Sequence, residues 1–183
     1  MTRDEALAFV RGKVPNENLV KHMIATEAVM RALARRLSLD PEQAGLAGLL
    51  HDCDLGVTEG DFSRHGVAGA AMLREIGVDE AICRAVEAHA CHEGRRPETT
   101  MERALVAADQ VTGLVIAAAL VHPDKRISAL QASSLKKRMK EKRFAAGVDR
   151  DSIRSCEALG VPLDEFLGLA ISAMAGVAGE LGL

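Results

Sequence analysis

Four histidines and two aspartates occupy positions where the surrounding pattern calls for apolar side chains. Over 79–91 the inward positions Ile82, Ala85 and Val86 follow i, i+3, i+4 spacing, and His89 falls at i+7 on the same stripe. Over 100–121, Leu105, Asp109, Thr112 and Ile116 share one face, so an acid points at the core from mid-helix. His65 shares a face with Gly69, Met72, Leu73 and Ile76, and His22 borders the stripe of Leu19, Met23, Met30, Leu33, Ala34 and Leu37. His51-Asp52 closes an apolar run through Leu46, Leu49 and Leu50. A single inward histidine is ordinarily a core residue bonded to a carbonyl. Six polar groups from five segments burying themselves independently is a coincidence, and an unpaired buried carboxylate is costly. A shared metal centre satisfies all of them together. Imidazole with carboxylate suits Fe, Mn, Co, Ni or Zn better than Mg or Ca. Six protein ligands are too many for one catalytic zinc with an open position, and suit two ions sharing a carboxylate. Such a pair neutralises phosphate charge and acidifies water, which is the chemistry of phosphate-ester hydrolysis by metal-activated hydroxide.

These residues need helices to position them, and nearly every segment has helical period, with no run alternating as a strand does. Thr2 and Glu5 form a capping box for a helix over 3–12, Asn16 caps one over 17–37, and Asp40-Pro41-Glu42 starts a third that runs to 52. Side chains adjacent on a helix diverge by about 100°, so His51 and Asp52 can act together only at a helix end, just where a polar loop over 53–63 begins. Further helices are expected at 64–76, 79–91, 100–121, 128–143, 150–159 and 163–181, separated by Gly77, Gly94 to Pro97, Pro123, Gly147 and Gly160 to Pro162. The expectation is an all-α chain of about nine helices in a single domain over 1–183, with a metal-binding core at 17–122 and C-terminal helices at 123–183 packed on it.

The chain has 183 residues, 48% of them hydrophobic, which excludes disorder and permits a sizeable core. It holds four Phe and no Trp or Tyr, so a stacking platform for single-stranded nucleic acid is not expected, nor is sequence-specific nucleic-acid binding. The net charge is −3, yet residues 125–143 carry eight Lys/Arg against Glu141 alone, a local +7 that leaves −10 on the remainder. That segment reads either as a solvated face or as an anion-binding rim. Cys53, Cys83, Cys91 and Cys156 form no CxxC pair and read as reduced thiols, and with a start lacking an apolar signal region the expectation is a cytoplasmic chain. The apolar stretches at 104–121 and 166–183 are interrupted by Asp109, Gln110 and Thr112 and by four glycines with Glu180, so a membrane span is not expected. The small-residue face of the last helix is a candidate homodimer contact.

The order His22, His51-Asp52, His65, His89, Asp109 resembles the metal-dependent HD-domain superfamily over residues 17–122. The resemblance assigns the H…HD…D core to His22, His51-Asp52 and Asp109, and matches His65 and His89 to the second-metal ligands of its dinuclear members. It implies a compact HD-type helical fold and a phosphohydrolase of small phosphorylated compounds, often nucleotides, using one or two divalent transition metals, Fe or Mn favoured and Zn, Co or Ni possible. Asp52 would bridge the two ions, and Asp52 and Asp109 would be the catalytic carboxylates. The whole chain, including 135–150, is similar to a small HDIG-type group of predicted hydrolases. It departs in reading His51-Asp52-Cys53-Asp54, and it has Asp54, Leu55 and Gly56 where the dinuclear enzymes that cleave dinucleoside tetraphosphates carry a Lys. A di-iron oxygenase on the same ligands, or a non-enzymatic sensory module whose basic helix binds a partner, are the alternatives. Arg64, His92, Lys125, Arg126, Lys137 and Arg143 are the candidates for substrate anion binding. His122 is expected at the surface. Cys53 reads as a packed thiol and Asp54 as a solvated loop acid that could instead orient a ligating histidine.

Overall fold

The computed structural model describes residues 1–58, 61–92 and 94–183, and every regular element among them is helical. The order is α1 (Arg3–Lys13), α2 (Glu17–Arg36), α3 (Pro41–Leu50), α4 (Leu55–Thr58), α5 (Val67–Glu75), α6 (Glu80–His89), α7 (Thr100–Val121), α8 (Ala132–Arg138), α9 (Arg150–Arg154), α10 (Leu163–Gly176) and α11 (Ala178–Leu181). Short 3-10 turns cover Ile127–Ala129 and Ser155–Leu159. The all-α expectation holds.

The helix starts follow their capping chemistry. Thr2 and Glu5 complete both arms of a capping box on α1, and Thr99 and Glu102 do the same on α7. Asn16, Asp40 and Asp79 accept from the first-turn amides of α2, α3 and α6. One cluster of buried side chains runs from Ala6 to Leu181. Its centre is α7, against which α2, α3, α6, α9 and α10 all pack. By length and hydropathy α7 would suffice to cross a bilayer, but 61% of that window is buried against other helices, as a core helix requires. Gly48 lets α3 lie directly on α2: a Cβ there would sit 2.8 Å from the Thr26 carbonyl oxygen.

Five expected segments differ. The stretch 53–63 is not simply a polar loop: Cys53 and Asp54 are buried and α4 follows them, while 59–60 lie outside the described residues. The helix expected at 64–76 starts at Val67, so His65 precedes it and is not on its face, and Ile76 is exposed. Gly66 makes the turn with φ +75°, where a Cβ would meet the Val86 carbonyl oxygen at 2.9 Å. The basic segment expected as one helix over 128–143 divides into the 3-10 turn, α8 and a turn-rich stretch, because Ile127, Leu135 and Met139 dip into the core while the cations between them stay outside. The C-terminal helices at 150–159 and 163–181 are likewise each subdivided, the second at Val177.

Candidate metal centre

The six residues read from the sequence come together in space. His22 is on α2 and His51 occupies the C-cap of α3, followed at once by Asp52. His65 precedes α5, His89 is the last residue of α6, and Asp109 lies midway along α7. The turn after Leu50 allows neighbouring His51 and Asp52 to face the same point.

Asp52 divides the cluster in two. Its Oδ2 is 3.3 Å from His51 Nε2 and 3.6 Å from His22 Nε2, while its Oδ1 is 3.3 Å from His65 Nε2 and 3.4 Å from His89 Nε2. On the first side Asp109 Oδ1 is 2.9 Å from His22 Nε2 and 3.6 Å from His51 Nε2. The histidine nitrogens meet in pairs, His22 with His51 at 3.2 Å and His65 with His89 at 3.1 Å.

The far side of each ring fixes which nitrogen carries hydrogen. His51 Nδ1 donates to the Gly48 carbonyl at 2.8 Å and His89 Nδ1 to the Val86 carbonyl at 2.5 Å. A carbonyl only accepts, so both Nε2 atoms of the neutral rings are bare lone pairs. His65 Nδ1 donates to Asp54 Oδ1 at 2.9 Å. Thr112 Oγ1 spends its hydrogen on the Asp109 carbonyl at 2.7 Å and therefore accepts from His22 Nδ1 at 3.1 Å. Four lone pairs thus converge in two pairs, each beside one oxygen of Asp52. Facing lone pairs repel unless a cation lies among them. Nitrogen and oxygen ligands about 2.1 Å from one ion stand about 3.0–3.5 Å apart, close to the separations observed in both halves. The donor set and its spacing fit divalent transition metals.

Without an ion, protons must supply the positive charge. Burial alone would raise the Asp109 carboxyl, but hydrogen bonds from His22 and His51 hold it far below the usual carboxylate range. Burial likewise opposes ionisation of Asp52, and His51, His65 and His89 together hold it well below its ordinary value. Burial depresses His65, yet Asp52 and Asp54 outweigh it and push the ring up to about 9. His51 is raised well above 6.5 against its own complete burial, chiefly by Asp52 and Asp109.

The cluster opens into a cavity of about 290 Å³ whose walls include Phe62, His65, His89, His92, Val106 and Asp109, with Asp149 at its rim. No Lys or Arg is among its described lining residues. Phe62 is 69% exposed, with its ring set edge-on to His65 at 6.4 Å. Gln110 donates to Asp109 Oδ2 and accepts from the Asp149 amide, both at 2.8 Å, which ties the rim to the acid.

Of the anion-binding candidates only His92 lines this cavity; its Nε2 donates to the His65 carbonyl at 2.8 Å. Arg64 is exposed beside His65 and outside the lining. Lys125 and Arg126 follow the end of α7. Val121 lies twelve residues beyond Asp109 on α7, about 18 Å at the helical rise. Lys137 lines a separate groove with Lys136, Lys140 and Asp164, and Arg143 is exposed between α8 and α9. None of Lys125, Arg126, Lys137 and Arg143 is among the described lining residues of the cavity. Asp54 corrects the reading in the other direction. It is fully buried, not solvated. Cys53 is a packed thiol, and burial pushes its ionisation far up. Thr112 stood on the inward stripe of α7, but spacing alone gave no hint that it holds His22.

A family model described as HD domain matches residues 19–119, a span that contains all six clustered residues. Ribonuclease Y of Opitutus terrae is 32% identical over 97 residues, 53% of this chain and 18% of that protein. Ribonuclease Y of Syntrophotalea carbinolica is 33% identical over 97 residues, with the same shares. Ribonuclease Y of Nitratidesulfovibrio vulgaris is 31% identical over 98 residues, 54% of this chain and 18% of that protein. The chain therefore spans less than a fifth of the length of these curated relatives.

Proposed function

The chain belongs to the HD-domain family, and from that premise we propose that it is a metal-dependent phosphohydrolase that cleaves the phosphate ester of a small molecule, a nucleotide being the best fit. One observation carries the reading: all four histidines are pinned through Nδ1, so that their Nε2 lone pairs converge in two sets on opposite oxygens of Asp52. His22, His51, Asp52 and Asp109 would hold one ion, and Asp52, His65 and His89 the other. Divalent ions bound there, Fe or Mn favoured, would supply Lewis-acid charge to the phosphate oxygens and make water a better nucleophile.

The chain's own residues do the rest. Asp52 joins the two halves and sets their separation. Gln110 occupies Asp109 Oδ2 and so leaves Oδ1 turned toward His22 and His51. The cavity admits a ligand of about nucleotide size. Val106 and the exposed face of Phe62 offer an apolar wall for a planar group on the far side of the ester. With no Lys or Arg among its described lining residues and Asp149 among them, the cavity favours one phosphate group over a chain of them.

A second reading comes from the relatives, whose name describes cleavage of RNA. The HD-domain match spans the whole cluster, so phosphodiester cleavage would use the same residues. A panel of nucleoside monophosphates, non-nucleotide phosphomonoesters and short RNAs, incubated with Mn²⁺ or Fe²⁺, separates the readings. Chelator-sensitive phosphate release from monoesters, faster than RNA cleavage and without O₂ uptake, is the expected result. Faster RNA degradation favours the ribonuclease reading. O₂ consumption without phosphate release favours oxygenase chemistry, and no turnover with tight metal binding favours a sensory module.

A further inference from the structure

Asp54 is a carboxylate with no solvent exposure, and both its oxygens are engaged. Oδ1 accepts from His65 Nδ1 at 2.9 Å. Oδ2 accepts from the backbone amides of Gly66 at 2.8 Å and Gly69 at 3.0 Å, at the start of α5. The corner is shaped around it: a Cβ on Gly69 would lie 3.3 Å from Asp54 Cγ. The two amides alone would be served by a neutral acceptor. Among the described residues the one side-chain donor that the charge meets is the ring of His65, whose opposite nitrogen faces Asp52 and His89.

We propose that Asp54 is a positioning residue for one half of the metal centre, the half formed by Asp52, His65 and His89. It fixes the His65 tautomer and ring plane so that Nε2 is presented as a lone pair, and its charge strengthens that nitrogen as a donor. The inference rests on the metal-binding reading above. The other half has a separate device. Thr112 Oγ1 orients His22 through Nδ1, while His51 and His89 lean on backbone carbonyls that no substitution removes. The two halves should therefore fail separately: loss of the Asp54 carboxylate empties one, and loss of the Thr112 hydroxyl weakens the other.

The test is a Mn²⁺ titration of the full chain, with bound metal counted by mass spectrometry and the spin state read by EPR. Wild type should take up two equivalents and show an exchange-coupled pair. Asp54→Asn should weaken one equivalent by about 10–100-fold, the range typical of lost ligand-orienting contacts, and leave an isolated-ion spectrum. Thr112→Val should weaken the other equivalent. In a His65→Ala background, Asp54→Asn should change the remaining equivalent by less than about 2-fold, because coupled residues are not additive. Should Asp54→Asn not fold, Asp54→Glu, whose longer side chain shifts the oxygen facing His65, is read in the same way. Parallel loss of both equivalents in the Asp54 variant, an unchanged pair, or additivity with His65→Ala overturns the proposal. A wild type that binds two ions but releases no phosphate overturns the phosphohydrolase reading and leaves this one standing.

Discussion

His22 and His51 aim their Nε2 atoms at each other across 3.2 Å, although each ring already donates on its far side, to Thr112 Oγ1 and to the Gly48 carbonyl. Asp52 faces both this pair and the His65–His89 pair, one oxygen to each. Asp52→Ala should therefore remove both metal equivalents together and lower hydrolysis by at least about 10³-fold, with the helical circular-dichroism signal unchanged. Asp109→Ala touches only the first pair and should remove one equivalent while abolishing most activity. If Asp52→Ala retains either ion at wild-type affinity, the carboxylate does not join the halves.

The cluster was legible in the sequence because buried helices make polar intruders conspicuous. His89 and Asp109 betray themselves by falling on largely apolar stripes, with Ile82, Ala85 and Val86 and with Leu105 and Ile116. His65 was placed on the wrong element: it lies before α5, where the Gly66 turn and not a helix face directs it inward. For Asp54 the sequence leaves two readings open, because periodicity says nothing about a loop and two of its three donors are backbone amides that leave no trace in side-chain spacing. The basic segment is not one helix because Ile127, Leu135 and Met139 are buried along it, which charge density alone does not reveal.

Metal-free protein should lose stability as pH rises. His65 has its folded-state value pushed from 6.5 to about 9 by Asp52 and Asp54 in spite of burial, and His51 shifts in the same direction. A raised histidine stabilises fully below its unfolded value of 6.5, and that contribution disappears as pH climbs through about 9. Asp52, Asp54 and Asp109 are all lowered, so their contribution is present above 3.8 and is lost only as pH falls below it. Thermal melts of chelator-treated protein from pH 6 to pH 10 should show Tm falling by about 2–4 °C for each kcal/mol lost. Metal-loaded protein should not follow, because the ions displace those protons, and metal affinity should tighten over the same range. A metal-free Tm that is flat or rises to pH 10 contradicts the charge assignment.

Phe62 and the Lys125–Arg126 pair should part company in kinetics. Phe62→Ala removes the exposed ring from the cavity wall, at a cost of about 1–3 kcal/mol in stacking. KM for nucleoside monophosphates should rise by about 10-fold or more, while turnover of ribose 5-phosphate stays within about 2-fold. Lys125→Ala with Arg126→Ala alters a surface that follows the end of α7, outside the described lining of the cavity, and should leave both substrates unaffected. Equal losses on both substrates in Phe62→Ala, or a large loss in the double variant, would reverse these assignments.

Gly48→Ala tests how the packing of α2 on α3 supports the centre. The added methyl would meet the Thr26 carbonyl oxygen at 2.8 Å and Glu27 Cα and N at 2.9 Å, all backbone, so no side chain can swing aside. The helices must separate, which costs roughly 1–3 kcal/mol in an overpacked core. The Gly48 carbonyl is also the acceptor for His51 Nδ1, so the displacement reaches the ring that faces His22 and Asp52. Stability and the His22–His51 metal equivalent should weaken together. Gly12→Ala is the control: it lies inside α1 with nothing within 4 Å of the new methyl, and should raise stability by about 0.5–1 kcal/mol without touching the metal count. A Gly48→Ala protein with wild-type Tm and two tightly bound ions would show that the α2–α3 contact is looser than drawn and that His51 does not depend on it.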